Sequence, residues 1–243
     1  MLWPIVAVGC GRLHFDPQQT TGDATRASDG GGDGQRAMPA VVGIYTKSSE
    51  NSSKIVVSNV AFAANHLLIV GVAVDSTTSH VVSIEDDGTP SNVYVSANAR
   101  VLNSTGDTEI WYVANSVAGA ANVTLSLDFD NFGVAWIVEL SGTDPIAPLD
   151  TTQIGSGPAG ATISAPEVMT TTANEVVFSV VNSATGSVTG LVAGSPFSGL
   201  TPGAGDASAY VIASTPDTYV ATWNASGGGD ECGSTAAFFA ALQ

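Results

Sequence analysis

From Val41 to the C-terminus the chain is written in short apolar runs rich in Val, Ile and Thr, separated at brief intervals by Gly, Pro, Asn, Asp and Ser. Runs of this kind bounded by turn residues predict strands. They fall at Val41–Thr46, Lys54–Asn59, His66–Val74, His80–Glu85, Asn92–Ser96, Ala99–Asn103 and Thr108–Ala114. A second set follows at Asn122–Asp128, Gly133–Leu140, Ala161–Ser164, Glu175–Asn182, Ser208–Ala213, Thr218–Asn224 and Thr235–Ala241. The segments DDGTPSN, STGD, SVAGAAN, DNFG and SGTDP between them carry the turn chemistry. No apolar period of 3.6 residues persists over three turns, and the Ala-rich end TAAFFAALQ suits a last buried strand. The pattern predicts an all-β protein, an antiparallel, jelly-roll-like β-sandwich over residues 41–243.

Two runs, HLLIVGVAV and GVAWIVEL, are apolar at every position and are expected to be central strands covered on both faces. The run Asn122–Asp128 alternates instead, with Val123, Leu125 and Leu127 on one face and polar residues on the other.

The first forty residues read differently. Leu2–Val8 is apolar, Gly9 is small, and Cys10 follows; Pro17–Met38 is then dominated by Gly, Asp, Ser, Thr and Gln, with SDGGGDG at Ser28–Gly34. Such a segment cannot bury apolar surface and reads as a disordered tether. The order of apolar run, small residue, cysteine and polar linker resembles the signal of bacterial lipoproteins. That resemblance implies a signal segment over 1–10 with a diacylated Cys10, a linker over 11–40, and a domain over 41–243. It departs from the pattern in having Ala7 where Leu is usual and in lacking a basic region ahead of Leu2, which places the expected start codon upstream. Two chains on one cysteine suffice for stable anchoring. The competing readings make Leu2–Val8 a buried strand with Cys10 a core thiol, or pair Cys10 with Cys232 in a disulfide.

Composition narrows the function classes. The chain of 243 residues has 22 acidic and 6 basic side chains, a net charge of −16, and only 12% charged residues. Nucleic acid is excluded as a partner, because gripping phosphates needs clustered Lys and Arg. The domain holds eighteen of the acids against Lys47, Lys54 and Arg100. Most carboxylates must therefore be solvated, accept backbone N–H groups in turns, or share a metal ion. Asp128 and Asp130 lie two apart and leave one face of a continuing strand, as oxygen ligands of Ca²⁺ would; the alternative is two solvated acids ahead of a turn. Asp86 and Asp87 read as turn residues. Glu139 sits inside an apolar run, either at a solvated edge or buried with a partner, for which Arg100 is the guanidinium at hand.

Motifs for catalysis are missing: there is no HExxH, no GxSxG and no phosphate loop. His66 and His80 are the domain histidines on which a hydrolase would have to rely. Cys232 lies between Glu231 and Gly233, with Asp230 close by, and these acids disfavour a reactive thiolate. Trp111, Tyr112, Trp136, Tyr210, Tyr219 and Trp223 fall in predicted strands, with Tyr219 and Trp223 on one face by the period of two, where an exposed pair would make a sugar platform.

The phrases ANHLLIVGVAV, SIEDDGTPSNVYV, EIWYVANSVAGAANVTLSL, VELSGTDPIAPLD and ANEVVFSVV occur in this order. Together they resemble a β-sandwich module of secreted and surface-exposed bacterial proteins, found beside immunoglobulin-like or fibronectin-type domains. The resemblance implies fold and compartment and carries no active site. The expectation is a non-enzymatic lipoprotein of the outer membrane or cell surface, held to the membrane through its lipid anchor. Its sandwich would serve binding, adhesion or structure, toward a polysaccharide or a surface protein. A carbohydrate-binding module using Tyr219 and Trp223 is the first alternative and a secreted hydrolase the second. No cofactor is expected beyond Ca²⁺.

Overall fold

The computed structural model describes residues 36–184, 187–200, 205–227 and 229–243. The expected signal segment with Cys10, and the expected linker through residue 35, lie outside the described residues. The described part is all-β and antiparallel, as the pattern predicts. In its first half run β1 (Ala40–Ser58), β2 (Leu67–Val74), β3 (Val81–Asp86), β4 (Val95–Ser96), β5 (Val101–Leu102), β6 (Asp107–Val113) and β7 (Asn122–Ser141). The second half holds β8 (Leu149–Ala159), β9 (Thr162–Ser164), β10 (Val168–Met169), β11 (Glu175–Ser183), β12 (Ser187–Leu191) and β13 (Ser198–Gly199). It ends with β14 (Ala207–Ala213), β15 (Thr218–Tyr219), β16 (Thr222–Ser226) and β17 (Gly229–Phe238).

Two main sheets face each other, ordered β1-β7-β2-β6-β4 and β8-β17-β11-β14-β13. Written this way, they match strand for strand. The hydrogen-bond register matches as well. Ile69 of β2 pairs with Tyr112 and Val138, and Phe178 of β11 pairs with Tyr210 and Ala236, the same spacing apart. Val95 pairs with Tyr112 as Ser198 pairs with Tyr210. Even the irregularities repeat: the bulge between Val41 and Gly43 recurs opposite Ala237 and Phe238, and the one between Val81 and Ser83 recurs between Val188 and Gly190. Asn65 and Asn174, at φ of 64° and 65°, make the same left-handed entry into the two central strands. The domain is a tandem duplication of one half-sandwich.

Each half curls over itself. The C-terminal part of β1, the N-terminal part of β7 and β3 form a cover on the outer face of the first main sheet; β9, β16 and β12 do so for the second. The result is four layers enclosing three apolar cores. One lies between the main sheets, built from Leu67, Ile69, Trp136 and Val138 against Val176, Phe178, Val180 and Phe238. The other two lie within the halves, around Leu68, Val70, Val72, Ile55 and Leu125, and around Val177, Val181, Ile163 and Trp223. This explains why β2 and β11 are buried at every position: alternate residues enter different cores, apolar throughout in β2, while in β11 the buried Ser179 hydroxyl meets that of Thr235. Each such aliphatic side chain contributes about 1.5–3 kcal/mol.

Several boundaries differ from the sequence reading. Two pairs of expected strands are single long ones, β1 and β7, because the polar segments KSSENSS and DFDNFG bulge and bend while the ladder continues. The run Thr218–Asn224 is broken, β15 pairing with β10 and β16 with β9 and β12. Strand β8 is not marked by the sequence pattern, because LDTTQIGSGPA carries Gly155, Gly157 and Pro158; it is an edge strand, where Gly and Pro are tolerated. The fold also starts before residue 41: Arg36 bridges to Leu242, donates to the Ala240 carbonyl at 2.6 Å and covers the Phe239 ring at 4.5 Å.

Candidate functional site

Four groupings of polar side chains arise from this framework. The largest lies where the main sheets meet, at the ends of β2, β6, β11 and β17. Asn182 at the end of β11 donates its amide hydrogens to Asp75 (2.9 Å) and Asp206 (2.8 Å), and its oxygen accepts from Asn103 at 2.8 Å. The loop carrying Asn103 continues through Ser104, whose N–H and hydroxyl both donate to Asp230. The first half is thereby clasped to the second. Asp107, fully buried, accepts from Arg100 Nε, while Arg100 Nη2 donates to the Ser79 carbonyl at 3.0 Å. Two residues on, Glu109 accepts from the Val81 N–H and from Trp111 Nε1. Burial pushes the carboxyls of Asp75, Glu109 and Asp206 upward, and raises Asp107 to about 7 with the Glu109 charge adding to the effect. Among the described residues, one oxygen each of Asp107 and Asp206 has no partner.

A second grouping surrounds Glu139, which is buried inside the first half rather than at an edge. Its partner is His66, whose Nδ1 donates to Oε1 at 2.7 Å, joined by the Ala63 N–H at 2.8 Å. The expectation of Arg100 as partner fails because Arg100 is held by Asp107 on the neighbouring strand β6. Ser116 accepts from the His66 backbone N–H and donates to the Ala63 carbonyl, so its hydroxyl is turned to the backbone and not to the imidazole. His66 and Glu139 thus pin the loop that enters β2.

The third comprises turn acids. Asp87 accepts from the Ala121 and Asn122 N–H groups and the Asn122 amide, which draw its carboxyl down to about 2. Asp86 accepts from Gly88, Asn92 and Tyr94. Asp128 accepts from the His80 N–H at 2.8 Å, with the imidazole at 3.2 Å; Asp130 is exposed. Among the described residues no three His, Cys, Asp or Glu side chains meet as a metal site. Asp128 is therefore engaged by His80, and Asp130 is not brought to it with a third ligand.

The fourth is a cavity of about 170 Å³ at the open edge of the second half, lined by Gly155, Ser156, Gly157, Ser164, Pro166 and Glu231. Glu231 is raised by burial, although the Ser164 N–H donates to it, and among the described residues its enclosed Oε2 has no partner. In the sequence the sign of this site is the acid pair of GGGDECGS set among glycines, which by itself reads only as the surroundings of Cys232.

The expected sugar platform is not assembled. Trp223 is 2% exposed in the core of the second half, and Tyr219 is half-buried on a different strand with its hydroxyl donating to the Thr215 carbonyl. Cys232 is a buried free thiol, raised to about 12 by desolvation with Asp107 and Asp206 adding to it.

Fold and sites together define an all-β protein of antiparallel sandwich architecture whose ionisable groups are mostly built into the framework. No known protein family, curated protein or solved structure matches the chain.

Proposed function

We propose that the protein is a non-enzymatic, lipid-anchored module of the outer membrane or cell surface, acylated at Cys10 and presenting its duplicated sandwich as a binding, adhesion or structural surface. The observation that carries this reading is the use made of the reactive side chains. His66, Glu139 and Ser116 close a loop of backbone contacts, and the Asp128 carboxylate is held against His80 and its backbone N–H. Groups so committed hold a shape. With eighteen acids against three bases the domain is net negative and is repelled by anionic headgroups, which accords with a body held off the membrane by a linker and acyl chains. The partner in this reading is a polysaccharide or a surface protein.

The test is metabolic labelling with a palmitate analogue in a bacterium that processes lipoproteins, comparing wild type with Cys10→Ser. Label and membrane fractionation in wild type, both lost in C10S, are expected. An unlabelled wild type, or C10S still in the membrane fraction, overturns the anchor.

A further inference from the structure

The duplication supplies a comparison for every position, and the end where Asn182 stands is built differently in the two halves. Ile69 and Phe178 are counterparts, as are Tyr112 and Tyr210, so Asn182 stands where the first half has Ala73, and Asp206 where it has Thr108. Ala73 and Thr108 are fully buried and carry no charge. Asp75, just past the end of β2, likewise stands where the second half has Ala184. The same framework is thus completed elsewhere without ionisable groups. Asp75, Asn182 and Asp206 are additions to it, joined across the boundary between the halves.

Their geometry is that of two acids on one amide. Asn182 Nδ2 donates one hydrogen to Asp75 Oδ1 at 2.9 Å and the other to Asp206 Oδ1 at 2.8 Å, so the two oxygens lie within two hydrogen-bond lengths of each other. The amide cannot turn over, because its other atom accepts from Asn103 at 2.8 Å and only the oxygen can accept. Asp206 is 1% exposed, whereas Asp75 opens to solvent. The ionisable groups acting on Asp206 are Asp75 from the end of β2, Asp107 from β6, and the Cys232 thiol of β17, whose residue pairs with Asn182. Each of them loses a proton to become negative. Asp230 and Glu231, also on β17, accept from Ser104 and Ser164, and Arg100 is taken up by Asp107. Two carboxyls so close, one of them buried, hold a proton between them rather than ionise together.

We propose that Asp75, Asn182 and Asp206 form a proton-operated latch between the halves: one proton held by the two carboxyls keeps it closed, and its loss frees the loop Asn103–Gly106. The proton rests on Asp206, the more deeply buried of the two, and leaves Asp75 charged at the surface. Asn103 Oδ1 accepts from the Thr105 and Gly106 N–H groups, and Ser104 donates to Asp230, so the loop is anchored through one amide on one side and one carboxylate on the other. Gly106 lies so close that a Cβ there would sit 2.5 Å from Asn182 Oδ1, and a shift of Asn182 is therefore passed to the loop. When Asp206 ionises, its proton goes to solvent water, the pair repels across Nδ2, and Asp107 adds to the repulsion. The latch is closed below the titration of the pair and open above it. Desolvation of Asp206 and Asp75 sets that point above the ordinary carboxylate range. The device belongs to the domain itself and does not depend on the anchoring proposed above.

Carboxyl-carbon chemical shifts and amide hydrogen exchange, followed together from pH 5 to pH 10, test this. The Asp206 carbon is expected at the position of a neutral acid at pH 5 and at that of a carboxylate at pH 10, with Asp75 shifting at the same midpoint. At that midpoint the Ser104, Thr105 and Gly106 amides, corrected for base catalysis of the intrinsic rate, are expected to exchange about tenfold faster or more. Asp206→Asn keeps an oxygen for Asn182 and cannot ionise; with an unchanged circular dichroism spectrum, it is expected to lose the step. Asp75→Asn, at an exposed position, removes the repulsion without altering the buried side, and is expected to keep the loop protected to pH 10. An Asp206 carboxyl already charged at pH 5 or still neutral at pH 10 overturns the proposal. So does loop exchange that does not follow the Asp206 titration, or either variant showing the wild-type step.

Discussion

Lowering the pH from 8 to 5 is expected to stabilise this protein, and Asp107 allows the size of the effect to be worked out. Its carboxyl titrates near 7 in the folded chain, because burial and the Glu109 charge outweigh Arg100, and near its ordinary 3.8 when unfolded. A folded value above the unfolded one means that the folded state holds the proton over the wider range. The stabilisation is therefore complete below about 4 and is lost as pH rises through about 7. At 1.36 kcal/mol per pH unit of difference, this one residue contributes about 2.5 kcal/mol between pH 8 and pH 5. Asp75, Glu109 and Asp206 are displaced the same way and add to it. Asp87, Asp128, Asp144 and Asp230 are displaced downward, and their contribution is lost only as pH falls below the ordinary carboxylate range. Stability should therefore peak near pH 4–5, by these opposing titrations. Urea unfolding followed by tryptophan fluorescence at pH 5, 6, 7 and 8 measures the slope. Asp107→Asn cannot ionise and should lose about 2.5 kcal/mol of the difference. A wild type whose stability is flat or rises from pH 5 to 8, or an Asp107→Asn protein with the wild-type slope, refutes the reasoning.

Other perturbations address the framework. Gly71→Ala places a Cβ 2.6 Å from Phe178 Cε1 in the core between the main sheets, and should cost about 1–3 kcal/mol in urea unfolding, relieved by adding Phe178→Leu. Glu139→Ala removes the acceptor of the Ala63 N–H and of His66, and should cost about 2–4 kcal/mol. Glu139→Gln should cost less because an amide oxygen still accepts, and His66→Ala with Glu139→Ala should be less than additive in the same assay. Cys232 should be unreactive toward a thiol-specific chromogenic disulfide at pH 8 in the native protein and react fully in urea, since burial holds the thiol near 12. Rapid modification of Cys232 in the native state would contradict its placement.

The all-β class was legible in the sequence because strand periodicity and turn chemistry are local. HLLIVGVAV and GVAWIVEL were readable as central strands covered on both faces, since only doubly covered strands need apolar side chains at every position. That most carboxylates would lack a cation also followed from composition, and Asp86 and Asp87 take the turn roles their neighbours suggested. Tertiary structure alone decided the partners. Glu139 met His66 and not Arg100, because which strands lie side by side is a long-range matter that spacing does not encode. The break at Val220 and Ala221 sent Tyr219 and Trp223 to different sheets, a change of strand that no period of two can register. The duplication stayed hidden because register and bulges repeat while side chains have diverged: Ile69 stands opposite Phe178 in role, and Val138 opposite Ala236. The hydrogen-bond ladder conserves backbone geometry and is indifferent to most side chains, whereas the core between the sheets needs large residues matched with small ones. That same divergence opened the cavity beside Glu231, which exists only where the folded chain sets Gly155 and Gly157 beside a carboxylate some seventy-five residues away.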